Sequence, residues 1–187
     1  MKRILLMSIA LLFAAAVPAQ DATTFTGTVL TYGTGFSTRA RTRTFTLRIK
    51  RTTSDSEATR LVRLLEDGGQ DKLLDEIRNN DLGNISIGGS LGRRLNAVWT
   101  ENVDGKQRIR AIAERWIGFG EFRGGYRSLD YPFTYIELMI DPRTGHGDGT
   151  FFGAAKIRFK RGDVEIEDFG ILPGRIMNVR MRGRPLP

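Results

Sequence analysis

The pentapeptide Gly88-Gly89-Ser90-Leu91-Gly92 matches the G-x-S-x-G pattern in which a tight turn presents a serine as an acyl-transfer nucleophile. Asp130 or Asp141 followed by His146 even keeps the Ser, Asp, His chain order. That chemistry requires a strand before the serine and a helix after it. Arg94 to Glu101 reads instead as a strand, so the pattern predicts a glycine-rich turn between strands and a Ser90 without catalytic duty. His146 is the sole histidine. Asp141 and Asp148 flank it, yet the spacing lacks the alternating oxygen ligands and distant bidentate glutamate of a calcium loop, so no metal is expected there. Glu114, Glu121, Asp130 and Glu137 are carboxylates that could serve glycoside cleavage if the fold paired two of them. Arg161-Gly162-Asp163 spells an adhesion tripeptide, but turn geometry alone asks for such residues in a hairpin. Asn84-Ile85-Ser86 is a glycosylation sequon whose meaning depends on the host.

Binding chemistry is better represented than catalysis. Arginine beside aromatic rings holds phosphates and sugars through forked hydrogen bonds and stacking. The stretch from Gly118 to Pro132 has that composition: Phe119, Phe122, Arg123, Tyr126, Arg127 and Tyr131 mix without period, as expected of a long structured loop with a function. Arg39, Arg41 and Arg43 recur at period 2 and read as a row on the polar face of a strand. A further basic group comprises Arg175, Arg180, Arg182 and Arg184. The formal charge is +8, and loss of Lys2 and Arg3 with a leader leaves +6. Such a field attracts polyanions without choosing among them, and the bland alternative is a solvated, arginine-rich surface.

These residues need elements to hold them. Thr24 to Tyr32 alternates as a half-buried strand, broken by Gly33 and Gly35. Arg41 to Arg51 follows, with Phe45, Leu47 and Ile49 on one face and Thr44, Thr46, Arg48 and Lys50 on the other. The period then becomes helical. Ser54 and Glu57 form a capping box, and Ala58, Leu61, Val62 and Leu65 continue until Gly68-Gly69. Leu73, Leu74 and Ile77 stripe a second short helix over about 70–79, which predicts a helical hairpin laid on a sheet. Strand signals resume with Ile85 and Ile87. They continue through a hairpin around Asp104-Gly105, a strand over Thr134 to Asp141, a turn-rich run to Gly149, a hairpin around Arg161-Gly162, and a last strand over Arg175 to Arg182. In the second hairpin Lys156, Arg158 and Lys160 face Glu165 and Glu167. The expected class is mainly β (α+β): about eight antiparallel strands in a twisted sandwich or barrel with one inserted helical hairpin at about 54–80.

Lys2 and Arg3, the apolar run from Ile4 to Val17 and the small residues Val17-Pro18-Ala19 read as a secretory signal over residues 1–20. Residues 21–187 then form one β-rich domain of a periplasmic or secreted protein without a stable membrane span. With no cysteine, this domain is held by its core alone, and thiol catalysis, zinc-thiolate sites and iron-sulfur clusters are excluded.

Gly69-Gln70-Asp71-Lys72-Leu73-Leu74, Gly89-Ser90-Leu91-Gly92, Trp116-Ile117-Gly118-Phe119, the run Asp130 to Leu138 and Asn178-Val179-Arg180 resemble segments of a group of uncharacterised exported bacterial proteins, typical of soil bacteria. The resemblance implies export and a single domain, and it implies no activity, cofactor or catalytic residue. The residues and the resemblance together predict a non-catalytic binding or structural module, without cofactor, for an anionic glycolipid or polysaccharide of the cell envelope in preference to nucleic acid. The competing expectations are a barrel carrying a small apolar ligand and a hydrolase using Ser90 or clustered carboxylates.

Overall fold

Phe45, Leu47 and Ile49 are buried while Thr44, Thr46 and Arg48 between them are exposed, so this strand lays one face on a core as its alternation predicts. The computed structural model describes residues 22–32, 39–115, 127–169 and 172–187. The leader expectation lies outside them. In chain order the elements are β1 (Thr23–Thr31), β2 (Arg41–Ile49), α1 (Asp55–Ile77), β3 (Gly83–Ile87), β4 (Arg93–Arg94), β5 (Ala97–Val103), β6 (Lys106–Glu114), β7 (Phe133–Ile140), β8 (His146–Lys160), β9 (Asp163–Asp168) and β10 (Gly174–Arg182). A short 3-10 turn, Arg127–Asp130, precedes β7.

The fold is mainly antiparallel β with one broken helix. All ten strands belong to one curled sheet in the order β4-β3-β2-β1-β10-β8-β7-β6-β5, with β9 added on the second half of β8. Phe25, Val29, Phe45, Leu47, Ile85, Val98, Ile109, Ile136, Leu138, Ile176 and Val179 fill the concave side. The convex side of β5 to β9 carries a second cluster, in which Ile112, Phe133, Tyr135, Ala155 and Ile157 meet Leu61, Leu65, Leu73 and Ile77 of α1.

Because neighbouring strands are antiparallel, the sheet has two distinct ends. The connections β1–β2, β3–β4, β6–β7 and β9–β10 leave at one, here termed the loop end. The tight β5–β6 and β7–β8 turns and the C-terminal residues lie at the other, the tail end. There Leu186 packs against the concave core and the carbonyls of Leu186 and Pro187 accept from Gln107 Nε2 at 3.0 Å and Thr100 Oγ1 at 2.6 Å.

Helix α1 is a hairpin. Ser54 caps it by accepting from the Glu57 N–H at 3.3 Å. Gly69 leaves helical geometry at φ 71, where a side chain would be strained. Arg60 Nη1 lies 2.7 Å from Glu76 Oε1, whereas sixteen residues of straight helix would hold them about 24 Å apart. Gln70, at the corner, donates to the Asp130 carbonyl at 2.8 Å and accepts from the Ile157 N–H at 3.3 Å, fixing the hairpin to the sheet.

Two expectations need correction. The run Arg94 to Glu101 is not a single straight strand: Leu95 pairs toward β3, giving its N–H to Gly83 O at 2.9 Å, while Asn96 N–H turns to Ile112 O of β6 at 2.8 Å. The turn-rich run after Asp141 already becomes strand at His146. Gly147 and Gly149 are strand glycines because an added Cβ at either would stand 2.1 Å from a carbonyl oxygen of β7. The β8–β9 hairpin forms as expected, with Arg158 to Glu167 at 2.7 Å and Lys160 to Glu165 at 3.6 Å.

Asn96 is 2% exposed and joins these parts. Its Nδ2 lies 3.2, 3.1 and 3.4 Å from the carbonyls of Ile77, Arg78 and Asn80 at the end of α1, and its Oδ1 accepts from the Glu114 N–H at 2.7 Å. Leucine at this position keeps the volume but strands those groups. Asn96→Leu is expected to lower unfolding free energy by about 3 kcal/mol in urea titration, and a loss under about 1 kcal/mol would contradict the role given to this amide.

Candidate cation-rimmed site at the loop end

Register decides where the arginines point. β1 and β2 pair without interruption, Val29 opposite Arg43 and Thr31 opposite Arg41, and directly opposed residues share a face. Val29 is a concave-core residue, so Arg43 and Arg41 continue the row of Ile49, Leu47 and Phe45. The expected polar-face row is therefore corrected: these arginines stand on the concave side, where the row runs out of the core into solvent at the loop end. Both are exposed, as is Arg39 ahead of the strand.

Two further arginines reach the same side. Arg93 pairs with the concave-core residue Ile85, and Arg115 follows Ile109, Ala111 and Ala113 in alternation on β6. Arg115 Nε donates to the Tyr131 carbonyl and its Nη2 to the Ser128 carbonyl, both at 2.8 Å. Burial, and next the positive charge of Arg115, hold the Arg93 guanidinium below its ordinary value, although Arg93 as a whole is exposed at the rim. Thr31, Tyr32, Arg115, Ser128, Asp168 and Phe169 help line a cavity of about 400 Å³ at this end, to which Asp168 brings one carboxylate. No ion pair to Arg39, Arg41, Arg43 or Arg93 forms among the described residues, whereas Arg60, Arg78, Arg108, Arg110 and Arg158 are all paired.

The aromatic loop contributes less than its composition suggests. Phe119, Phe122, Arg123 and Tyr126 lie outside the described residues, as does Glu121, and of Arg127 only the backbone of the 3-10 turn is described. Tyr131 is 3% exposed: its hydroxyl donates to Glu167, its ring meets Phe169 edge-on at 5.2 Å, and Lys156 Nζ sits 5.9 Å from its centroid. It is a packing residue, corrected from the ligand-facing role its neighbours implied.

The catalytic candidates do not converge. Ser90 turns between β3 and β4 at the loop end, where its Oγ accepts from the Ile87 N–H at 3.4 Å. His146 opens β8 at the tail end beside Asp141, whose N–H donates to the His146 carbonyl at 2.9 Å. Glu114 faces Arg78 at 3.6 Å, Asp130 lies in the 3-10 turn, and Glu137 is on the convex face of β7. Arg180 and Arg182 project on the convex side of β10, paired with His146 and Thr24. Among the described residues, no group of three His, Asp or Glu side chains could hold a metal ion.

A second cavity, about 220 Å³, lies outside the sheet beneath the helical hairpin, between Leu61, Leu65 and Leu73 on one side and Trp99, Ile112 and Ile157 on the other. Its polar rim is internally balanced. Glu101 lies 2.7 Å from both Arg108 and Arg110, and Tyr135 donates to Glu137 at 2.9 Å. The hydrogen bond from Arg108 holds the Glu101 carboxyl below its usual range. Sequence periodicity could not reveal this ladder, because it depends on which strands become neighbours.

No family model matches the chain, and neither a curated protein nor a solved structure is significantly similar to it.

Burial first, and then the Glu137 charge, push the Tyr135 hydroxyl well above its ordinary value. A raised native pKa stabilises fully below the unfolded value near 10 and is lost as pH rises from there toward the native value. Tyr135→Phe is therefore expected to flatten the fall in stability above about pH 10, measured by urea unfolding across that range. An unchanged slope would show that Tyr135 ionises as freely in the folded protein as in the unfolded chain.

Proposed function

We propose that this is an exported, non-catalytic binding module that holds an anionic glycolipid or polysaccharide of the cell envelope at the loop end of its sheet. In this reading the curled sheet closes into a barrel through the bend at Leu95-Asn96, which leaves one end plugged by the C-terminal residues and the other open as a rim. The observation that carries the proposal is the placement of Arg41 and Arg43 of β2, Arg93 of β4 and Arg115 just past β6 on the concave side of one end. Like charges gathered on one rim repel one another, and an anion placed among them relieves that cost. Guanidinium forks match phosphate, carboxylate and sulfate oxygens.

Two other readings have less support. A small apolar ligand would occupy the groove under the hairpin rather than the sheet interior, where core side chains fill the space. A hydrolase would need Ser90 and His146 together, and the fold separates them to opposite ends.

Dextran sulfate serves as a soluble polyanion probe. It is expected to bind the mature protein at low salt and to release it as salt approaches 1 M, where screening shortens to about 3 Å. The variant with Arg39, Arg41 and Arg43 changed to serine is expected to bind at least tenfold more weakly. Equal binding by parent and variant at every salt level would overturn the proposal, and a variant carrying serine at Arg143, Arg180 and Arg182 supplies the matched loss of three charges.

A further inference from the structure

The loop end carries more than cations. Five large hydrophobic residues are exposed among the described residues, and four of them leave from that end: Leu91 at 99%, Leu172 at 57%, Phe169 at 40% and Tyr32 at 36%. They come from three separate connections, β3–β4, β9–β10 and β1–β2. Single exposed hydrophobics scattered over a surface need no explanation, but a shared edge does. Leu91 stands at the tip of the Gly88 to Gly92 turn, and the exposed arginines Arg39, Arg41, Arg43, Arg93 and Arg94 lie on the strands and segments around it.

We infer that the loop end docks on an anionic lipid surface, with Leu91 and Leu172 dipping below the headgroups and the surrounding arginines pairing with lipid phosphates. The inference rests on the anion-binding reading above and names the lipid leaflet as the anion's source. Charge complementarity selects this partner: apolar tips ringed by cations fit a layer whose surface is negative and whose depth is hydrocarbon. Phe169 and Tyr32 suit the boundary between the two, where rings with one wet edge collect. The attachment is peripheral. No helix among the described residues is long and apolar enough to cross a membrane, and the sheet has its apolar side inward and Arg108, Arg110, Glu137 and Asp148 outward, the reverse of a lipid-spanning barrel.

The absence of cysteine allows a single reporter to be placed. Leu91→Cys carrying an environment-sensitive fluorophore is mixed with vesicles of phosphatidylcholine alone or with one-quarter phosphatidylglycerol, at about 0.15 M salt, where screening reaches about 8 Å. The expected result is sedimentation with the anionic vesicles only and a blue shift of the label. The same label at Lys106→Cys, the first residue of β6 at the tail end, should not shift. Changing Leu91 and Leu172 to serine should weaken vesicle binding roughly tenfold without altering dextran sulfate binding, and changing Arg39, Arg41 and Arg43 to serine should weaken it roughly 100-fold. Dextran sulfate binding without vesicle binding overturns this inference and leaves the anion-binding reading standing. Failure to bind either overturns both. Sedimentation without a blue shift at residue 91, or with equal affinity for both vesicle types, overturns the docking geometry.

Discussion

A buried amide at one bend organises the molecule. Asn96 interrupts what would otherwise be a continuous strand, and the interruption lets one segment serve two neighbours: Leu95 completes the edge of β3, and the next peptide starts the edge of β6. Backbone geometry alone leaves the end of the helical hairpin and the Glu114 N–H short of partners at this junction. A side chain with two donors and a carbonyl oxygen meets both needs from one position. The curl of the sheet, the seating of the hairpin and the position of the strand that ends at Glu114 and leads into Arg115 all depend on it.

Curling a sheet with its apolar face inward has a consequence for the charged residues. Along β2 the inward set is Ile49, Leu47, Phe45, Arg43 and Arg41, so one face changes from core to cation without changing side. The same change occurs from Leu95 back to Arg93 on the β4 side and from Ala113 to Arg115 on β6. Cations so placed cannot turn to the convex face, where Glu101 of β5 neutralises Arg108 and Arg110. The charge that matters for binding is thus segregated by the pleat.

Much of this was legible from sequence. The period of two in β2, the capping residue Ser54, the glycine break at Gly69 and the Asp-Gly and Arg-Gly turns each reflect local chemistry, and each reappears in the fold. What failed required knowledge of partners. Arg41 and Arg43 face inward by the same alternation as Phe45, and their charge is no guide to side. Gly147 and Gly149 resemble a turn until the β7 carbonyls behind them are known. Asn96 gives no sequence signal beyond a polar residue between Leu95 and Ala97, and Tyr131 looks available until Glu167 and Phe169 are placed around it.

The central claim is that an anion sits among the concave-side arginines of the loop end. Side-chain Nε–Hε resonances of arginine, followed by NMR while inorganic tripolyphosphate is added at low salt, test it residue by residue. The account predicts that Arg43, Arg93 and Arg115 shift together and saturate with one affinity, while Arg143, Arg180 and Arg182 stay in place. Uniform small shifts at every arginine, or saturation confined to the tail end, would contradict it.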